Sequence, residues 1–294
     1  MLTRRIVLAV AALLLTQSAH AQDKLKTVAT FSILADLVRN VGGDRVDVQA
    51  LVGPNGDAHV YQPAPGDAKT LAVAQVVFTN GLGFEGWIAR LIKASGTRAP
   101  VIVATKGVRP RKMDEDGHAQ ADPHAWQSVP NAKTYVANIR DGLIAVDPDA
   151  SATYEANASA YLAKLDALDS EVRAAVEKIP VDRRRIITTH DAFGYFAAAY
   201  EVAFIAPQGV STESEISAKD VAKIITQIRK QKIPAVFLEN ITDDRLLKRI
   251  GAESGARIGG TLYSDALTDE KGSAPTYIDM MRHNVKQLVE ALTS

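Results

Sequence analysis

The chain has 294 residues, with 34 Lys and Arg against 34 Asp and Glu; 47% of the residues are hydrophobic and none is cysteine. This balance leaves no electrostatic footprint for nucleic acid or anionic lipid, and without cysteine neither a disulfide nor a lipid anchor on an N-terminal cysteine is expected. The length suits two domains of roughly 100–150 residues each.

The first 21 residues read as a signal peptide. Arg4 and Arg5 form a basic start, Ile6 to Leu15 is an unbroken apolar run, and Ala19-His20-Ala21 is a small-x-small cleavage site before Gln22. Such a run is too short to span a membrane, and no later segment reaches that length. Removing Arg4 and Arg5 leaves 32 basic against 34 acidic side chains. The expected product is a freely diffusing, monomeric protein of a bacterial periplasm.

Residues 24–147 are expected to form an N-terminal α/β lobe. Val28 to Phe31, Val46 to Val52, Val76 to Phe78 and Val101 to Ala104 are short apolar, β-branched runs that read as buried strands. Between the first two, Ile33, Leu34, Leu37, Val38 and Val41 show helical spacing. Strands alternating with helices argue for a mainly parallel sheet covered on both faces. Met113 to Asp122 is acidic and turn-rich, without periodicity, and reads as a mobile loop in which His118 could serve as an auxiliary metal-capture residue.

Residues 148–179 contain no glycine and no interior proline, and Tyr154, Ala158, Tyr161, Leu165, Leu168, Val172, Val176 and Ile179 recur every three or four positions. One amphipathic helix of about 48 Å is expected, ended by Pro180, joining the halves rigidly and allowing only small lobe motions. Residues 181–294 repeat the α/β style. Ile186 to Thr189, Ala203 to Ile205, Ala235 to Leu238 and Ile258 to Tyr263 read as strands, with helices at Val221 to Arg229, Thr242 to Ala252 and Thr276 to Leu292. Ser217 followed by Asp220 resembles a capping box, Glu213 and Glu215 suit a solvated loop, and His283 a surface or packing position.

His59, His124 and His190 fall at nearly even intervals, and Asp265 follows at a similar distance. Each lies in a loop after a predicted strand, where open α/β sheets bind ligands. Singly, each histidine also suits a packed or surface role, and Asp265 a cap or turn. Together, three imidazoles and one carboxylate make a complete shell for a divalent transition metal, two from each half of the chain, so that a metal would clasp the lobes together.

The segments Gly56-Asp-Ala-His-Val-Tyr-Gln-Pro63, Asn80-Gly-Leu-Gly-Phe-Glu-Gly-Trp87, Asp122-Pro-His-Ala-Trp126, Thr189-His-Asp-Ala-Phe-Gly-Tyr-Phe196 and Leu262-Tyr-Ser-Asp265 resemble the periplasmic metal-binding proteins of bacterial ABC importers for zinc and manganese, the TroA-like or ZnuA-like group. The resemblance runs from about Lys24 to Leu292. It implies two α/β lobes on one long helix, His59, His124, His190 and Asp265 as metal ligands, no catalysis, and delivery to an ABC permease in the inner membrane, with a periplasmic metallochaperone as a possible donor. Manganese-leaning members usually carry Glu where this chain has His190. Typical zinc-uptake members carry a long His-rich loop where this chain has only Met113 to Asp122. Shorter-loop zinc binders with three His and one Asp look closest.

Ligand chemistry also favours Zn²⁺, since Mn²⁺ prefers more oxygen ligands and a higher coordination number; Mn²⁺ or Fe²⁺ is the alternative. Each ligating imidazole should donate its other ring N–H to an acceptor, and Asp191 and Asp57 are the neighbours expected to serve. The rival readings are a zinc hydrolase, with Asp265 as general base towards a metal-bound water, and an adhesin or interaction module. Against the hydrolase, the chain has no His-Glu-x-x-His motif, and a four-ligand shell leaves no open position.

Overall fold

The structure, a computed structural model, describes residues 23–115, 118–207, 209, 212 and 217–293; the side chains of residues 113–115, 118 and 119 fall outside the description. The expected signal peptide, Glu213 and Glu215 lie outside the described residues.

In the N-terminal lobe, β1 (Leu25–Phe31), β2 (Val46–Val52), β3 (Val76–Thr79) and β4 (Val101–Val103) form a parallel sheet of order β2-β1-β3-β4. The central strands β1 and β3 are buried almost throughout, as expected of strands covered on both faces. The covering helices are α1 (Ser32–Gly42), α2 (Pro65–Ala72), α3 (Ile88–Ser95) and α4 (Val129–Val146).

Residues 112–121 are not the unstructured loop expected from their polarity. They pair as an antiparallel hairpin of β5 (Lys112–Glu115) and β6 (His118–Ala121), with Lys112 opposite Ala121 and Glu115 opposite His118. The sequence between them is Asp116-Gly117, a dipeptide that favours two-residue hairpin connections. Beyond the hairpin, Asp122 N–H donates to the Arg111 carbonyl at 2.9 Å, so the strands lead directly into the segment that carries His124.

The linking helix α5 spans Ser151–Val176, preceded by a 3₁₀ turn at Pro148–Ala150. It is therefore shorter than the periodicity suggested: the α-helix begins only after that turn, and the last periodic residue, Ile179, lies beyond its end. Its buried face is Tyr154, Ala158, Tyr161, Leu165, Leu168, Val172 and Val176, every third or fourth residue.

In the second lobe, β7 (Arg185–Ile187), β8 (Ala203–Ile205), β9 (Ala235–Glu239) and β10 (Arg257–Leu262) form a parallel sheet of order β10-β9-β7-β8. Numbered within each lobe, both sheets have the order 2-1-3-4. The helices are α6 (Gly194–Tyr200), α7 (Ala218–Gln231), α8 (Arg245–Ser254) and α9 (Tyr277–Thr293). Ser217 Oγ caps α7 by accepting from Asp220 N–H at 3.2 Å. No helix among the described residues is long and apolar enough to cross a membrane.

One apolar core runs through both lobes, from Phe31, Ile33 and Phe78 through Leu165 and Leu168 to Phe237, Tyr277 and Leu288. A second, smaller core lies on the outer face of the second sheet, between Ile187, Val236 and residues of α7 and α8. A buried charge also joins the lobes. Asp36 of α1 accepts from Tyr277 N–H at the start of α9, at 2.9 Å. Burial raises its pKa to about 6, with the carboxylate of Asp279 adding to the rise, while the Tyr277 N–H, Arg39 and Asn40 pull it down.

A folded pKa raised above the unfolded value means that the native state holds this proton more tightly. The resulting stability is fully present below the unfolded value of 3.8 and is lost as pH rises through about 6. Asp36→Asn keeps an acceptor for Tyr277 but cannot ionise. Denaturant titrations should show the variant gaining stability relative to the parent between pH 4 and pH 7, by up to about 3 kcal/mol.

Candidate metal centre

Four loops converge between the lobes, each with its own support. His59 follows β2; its backbone N–H donates to Asp57 Oδ1 at 2.8 Å, and the preceding Ala58 carbonyl accepts from Trp87 Nε1–H at 2.8 Å. Phe84 meets the His59 ring edge-on at 4.7 Å between centroids. Phe84 is delivered by Gly81, Leu82 and Gly83, all left-handed, with φ of 86°, 56° and 84°. Two glycines suit such a run, and Leu82 is strained there. Glu85 ties the turn down by accepting from Thr30 Oγ1–H and from the N–H groups of Asn80 and Gly81.

His124 is fully buried just before the 3₁₀ turn Ala125–Gln127 that leads into α4, and Asn80 Nδ2–H donates to the preceding Pro123 carbonyl at 2.9 Å. His190 follows β7 and is fully buried. Asp265 follows β10, also fully buried, and the carbonyl of its neighbour Ser264 accepts from Trp126 Nε1–H at 2.9 Å and Gln127 Nε2–H at 2.6 Å.

One ligand atom from each of the four lies within 4.8 Å of the others. His59 Nε2 stands 3.1 Å from His124 Nε2 and 3.2 Å from Asp265 Oδ2; His190 Nε2 is 3.1 Å from Asp265 Oδ2, and His124 Nε2 is 3.6 Å from Asp265 Oδ1. Buried carboxylates stand behind two of the rings. Asp122 Oδ1 lies 2.9 Å from His124 Nδ1, and Glu239 Oε2 lies 2.6 Å from His190 Nδ1. A carboxylate at Nδ1 favours the tautomer with its proton there, leaving the Nε2 lone pair free.

The electrostatics reflect this crowding. Burial opposes a charge on His190, but the Glu239 and Asp265 carboxylates outweigh it and raise its pKa well above the usual imidazole range. Burial would also raise the pKa of Asp265, yet His190 and His124 hold it well below the carboxylate range. His59 moves the other way: burial lowers its pKa more than Asp265 restores it, and the other two imidazoles push it further down. With the His190 proton displaced, three lone pairs and an anion aimed at one point suit a divalent cation.

The expected partners Asp57 and Asp191 do not fill the roles assigned to them. Asp57 holds the backbone of His59, and its other oxygen accepts from Thr212 Oγ1 at 2.6 Å. The carboxylate that stands at the His190 ring is that of Glu239, at the end of β9. Sequence proximity suggested the adjacent Asp191, whereas β7 pairs with β9 in the sheet and brings Glu239 alongside. His118 has its backbone in β6; its side chain is outside the description. His283, on α9, packs against Tyr263, with Nε2 3.0 Å from the Thr261 carbonyl.

Two parallel-sheet lobes on a long helix, with buried imidazoles and a carboxylate meeting between them, define a metal-binding solute-binding protein. The family model described as zinc-uptake complex component A, periplasmic, matches residues 27–291, and the chain belongs to this family of metal-binding components of ABC importers. It is 34% identical to the iron-binding protein YfeA of Yersinia pestis, over 97% of this chain and 91% of that protein. It is 32% identical to the manganese ABC transporter substrate-binding lipoprotein PsaA of Streptococcus pneumoniae, over 94% and 92%. The solved structure of the periplasmic zinc-binding protein TroA from Treponema pallidum superimposes with a TM-score of 0.87 at 30% identity, covering 92% of this chain and all of that one. The protein is thus a periplasmic, metal-binding component of an ABC importer, in a family of transport proteins rather than enzymes.

Glu239→Gln retains an oxygen for the backbone N–H groups of Thr189 and His190 but can set an amide N–H₂ against Nδ1, which favours the wrong tautomer. Metal affinity, measured by competition with a chromophoric chelator, should fall about 10–100-fold while the circular dichroism spectrum stays unchanged.

Proposed function

We propose that the protein captures Zn²⁺ through Nε2 of His59, His124 and His190 and the carboxylate of Asp265, and passes it to a cognate inner-membrane ABC permease without catalysing a reaction. The observation that carries this reading is the spacing of the donors. Four donors at tetrahedral corners, each about 2.0–2.1 Å from zinc, stand about 3.3 Å apart. The closest pairs here are 3.1 to 3.6 Å apart, all four donors lie within 4.8 Å of one another, and Asp122 and Glu239 stand at Nδ1 of two rings, which leaves their Nε2 to the site. Asp265 stands within this donor set, as a ligand does and a general base towards metal-bound water does not.

A second reading, Mn²⁺ or Fe²⁺, is favoured by one feature of the same carboxylate. Oδ2 faces His59 and His190, whereas Oδ1 faces His124 and has no hydrogen-bond partner. A carboxylate using both oxygens would raise the coordination number, which these metals prefer. Relatives named for iron and for manganese accord with this.

We further read residues 1–21 as a cleavable export signal, 24–147 and 181–294 as the two lobes, and 148–179 as their link, in a monomer that could receive its metal from a periplasmic metallochaperone. The intact mass of the exported protein, expected to begin at Gln22, checks the cleavage.

Metal-free protein titrated with each cation should bind one Zn²⁺ tightly, with a large rise in melting temperature and a much weaker response to Mn²⁺. Equal or stronger Mn²⁺ binding would transfer the assignment to manganese. His190→Glu, which exchanges a nitrogen donor for oxygen, should narrow or invert the preference. Zn²⁺ affinity should fall from pH 7.5 to 5.5, because protons compete for the imidazole lone pairs; a flat profile would refute imidazole ligation.

A further inference from the structure

Asp265 is encoded in the C-terminal half of the chain but is fastened to the N-terminal lobe. Besides the grip of Trp126 and Gln127 on the Ser264 carbonyl, Leu267 N–H donates to Ser32 Oγ at 3.0 Å, and the Leu267 carbonyl accepts from Asn55 N–H at 2.8 Å. Where the segment ends, Tyr277 donates its N–H to Asp36 and its O–H to the Trp126 carbonyl, at 2.9 and 2.7 Å. These partners all belong to the first lobe; one contact runs the other way, from Asn240 beside Glu239, whose Nδ2–H donates to the Ala266 carbonyl at 3.3 Å and to Asn55 Oδ1 at 3.1 Å, and it must break if the second sheet departs.

His190 is fastened the other way. Glu239 of β9 accepts from Thr189 N–H and His190 N–H at 2.7 and 3.0 Å and faces the ring Nδ1 at 2.6 Å. The imidazole is thus tied to the second sheet at backbone and ring.

The chain passes between the two frames four times, after the linking helix, on either side of α6 and after β10, and the two stretches that carry His190 and Asp265 are short. Leu262 is the last residue of β10, Tyr263 is already bound to Asn284 of α9, and Ser264 is held by Trp126. His190 is held by Glu239, whereas Tyr195 O–H donates to the Asp122 carbonyl at 3.0 Å. Gly194 approaches so closely that a β-carbon there would stand 2.6 Å from Asp122 Oδ2.

We propose that the site is divided three plus one. His59, His124 and Asp265 form a cradle fixed in the N-terminal frame, with Trp126 and Gln127 as positioning residues for Asp265. His190 is the departing ligand, carried by β9, Glu239 and the small outer core of α7 and α8 when the second sheet shifts against the core it shares with the first lobe. Opening then breaks one metal–ligand bond rather than two, and presents the cation on a three-donor cradle with one face free for the permease. This rests on the metal-capture reading above.

The chain has no cysteine, so introduced thiols label uniquely. Lys93→Cys on α3, Lys271→Cys on the segment after Asp265 and Lys230→Cys on α7 are exposed positions for nitroxide pairs. Pulsed electron paramagnetic resonance on metal-free and Zn²⁺-loaded full-length mature protein should show the 93–271 distance unchanged. Both distances to position 230 should lengthen when the metal is removed. If position 271 moves with 230 and away from 93, or if no distance changes, the division is overturned. Zn²⁺ stoichiometry on the same labelled proteins separates the two failures. No bound Zn²⁺ sinks the capture reading and this proposal with it, whereas one bound Zn²⁺ with either adverse pattern sinks the division alone.

Discussion

A neutral imidazole offers a lone pair from one nitrogen at a time, and the centre depends on which nitrogen that is. Asp122 and Glu239, both buried behind the rings of His124 and His190, settle the choice before any cation arrives. Without them the rings could turn or change tautomer, and the convergence of three Nε2 atoms on one carboxylate would be accidental. Both carboxylates are shielded from water, so their interaction with the imidazoles is screened less than it would be at the surface. Before a cation binds, a proton held by His190 against the Asp265 and Glu239 carboxylates occupies part of the shell, and a divalent cation replaces it.

The fold makes this economical. Both sheets have the same strand order, so each has a point where neighbouring crossovers run to opposite sides and leave a crevice at the strand ends. In the second lobe that crevice lies between β7 and β9, and His190 and Glu239 stand at these two strand ends. In the first lobe it lies between β1 and β3, where Asn80 and the strained turn at Leu82 lead to Phe84 against the His59 ring. The linking helix sets the crevices facing one another.

Much of this was legible in the sequence, for identifiable reasons. The buried face of the linking helix follows from helical periodicity, a local signal. The four strand-end ligands stood out because histidine is scarce and each sits beside rigid or aromatic neighbours. The helix Val129–Val146 carries the same local signal, with Val129, Ala132, Tyr135, Val136, Ile139 and Leu143 at helical spacing. The hairpin at 112–121 was hidden by its polarity, with only Asp116-Gly117 to announce it. Glu239 could not have been found from neighbours along the chain. It lies 49 residues from His190, and only the pairing of β7 with β9 makes them adjacent. The common strand order of the lobes is likewise a property of long-range pairing, invisible where the sequences share no repeat.

The single core threading both lobes has a consequence for how the molecule comes apart. A chain whose halves bury the same side chains cannot lose one half and keep the other intact. Heat or denaturant should therefore meet one cooperative transition, and either lobe expressed alone would expose the apolar face that α5 and α9 cover. The small core under α7 and α8 is the exception. With few residues to hold it, it forms a separate unit of local opening, whose amides should exchange with solvent before those of the body it leans upon.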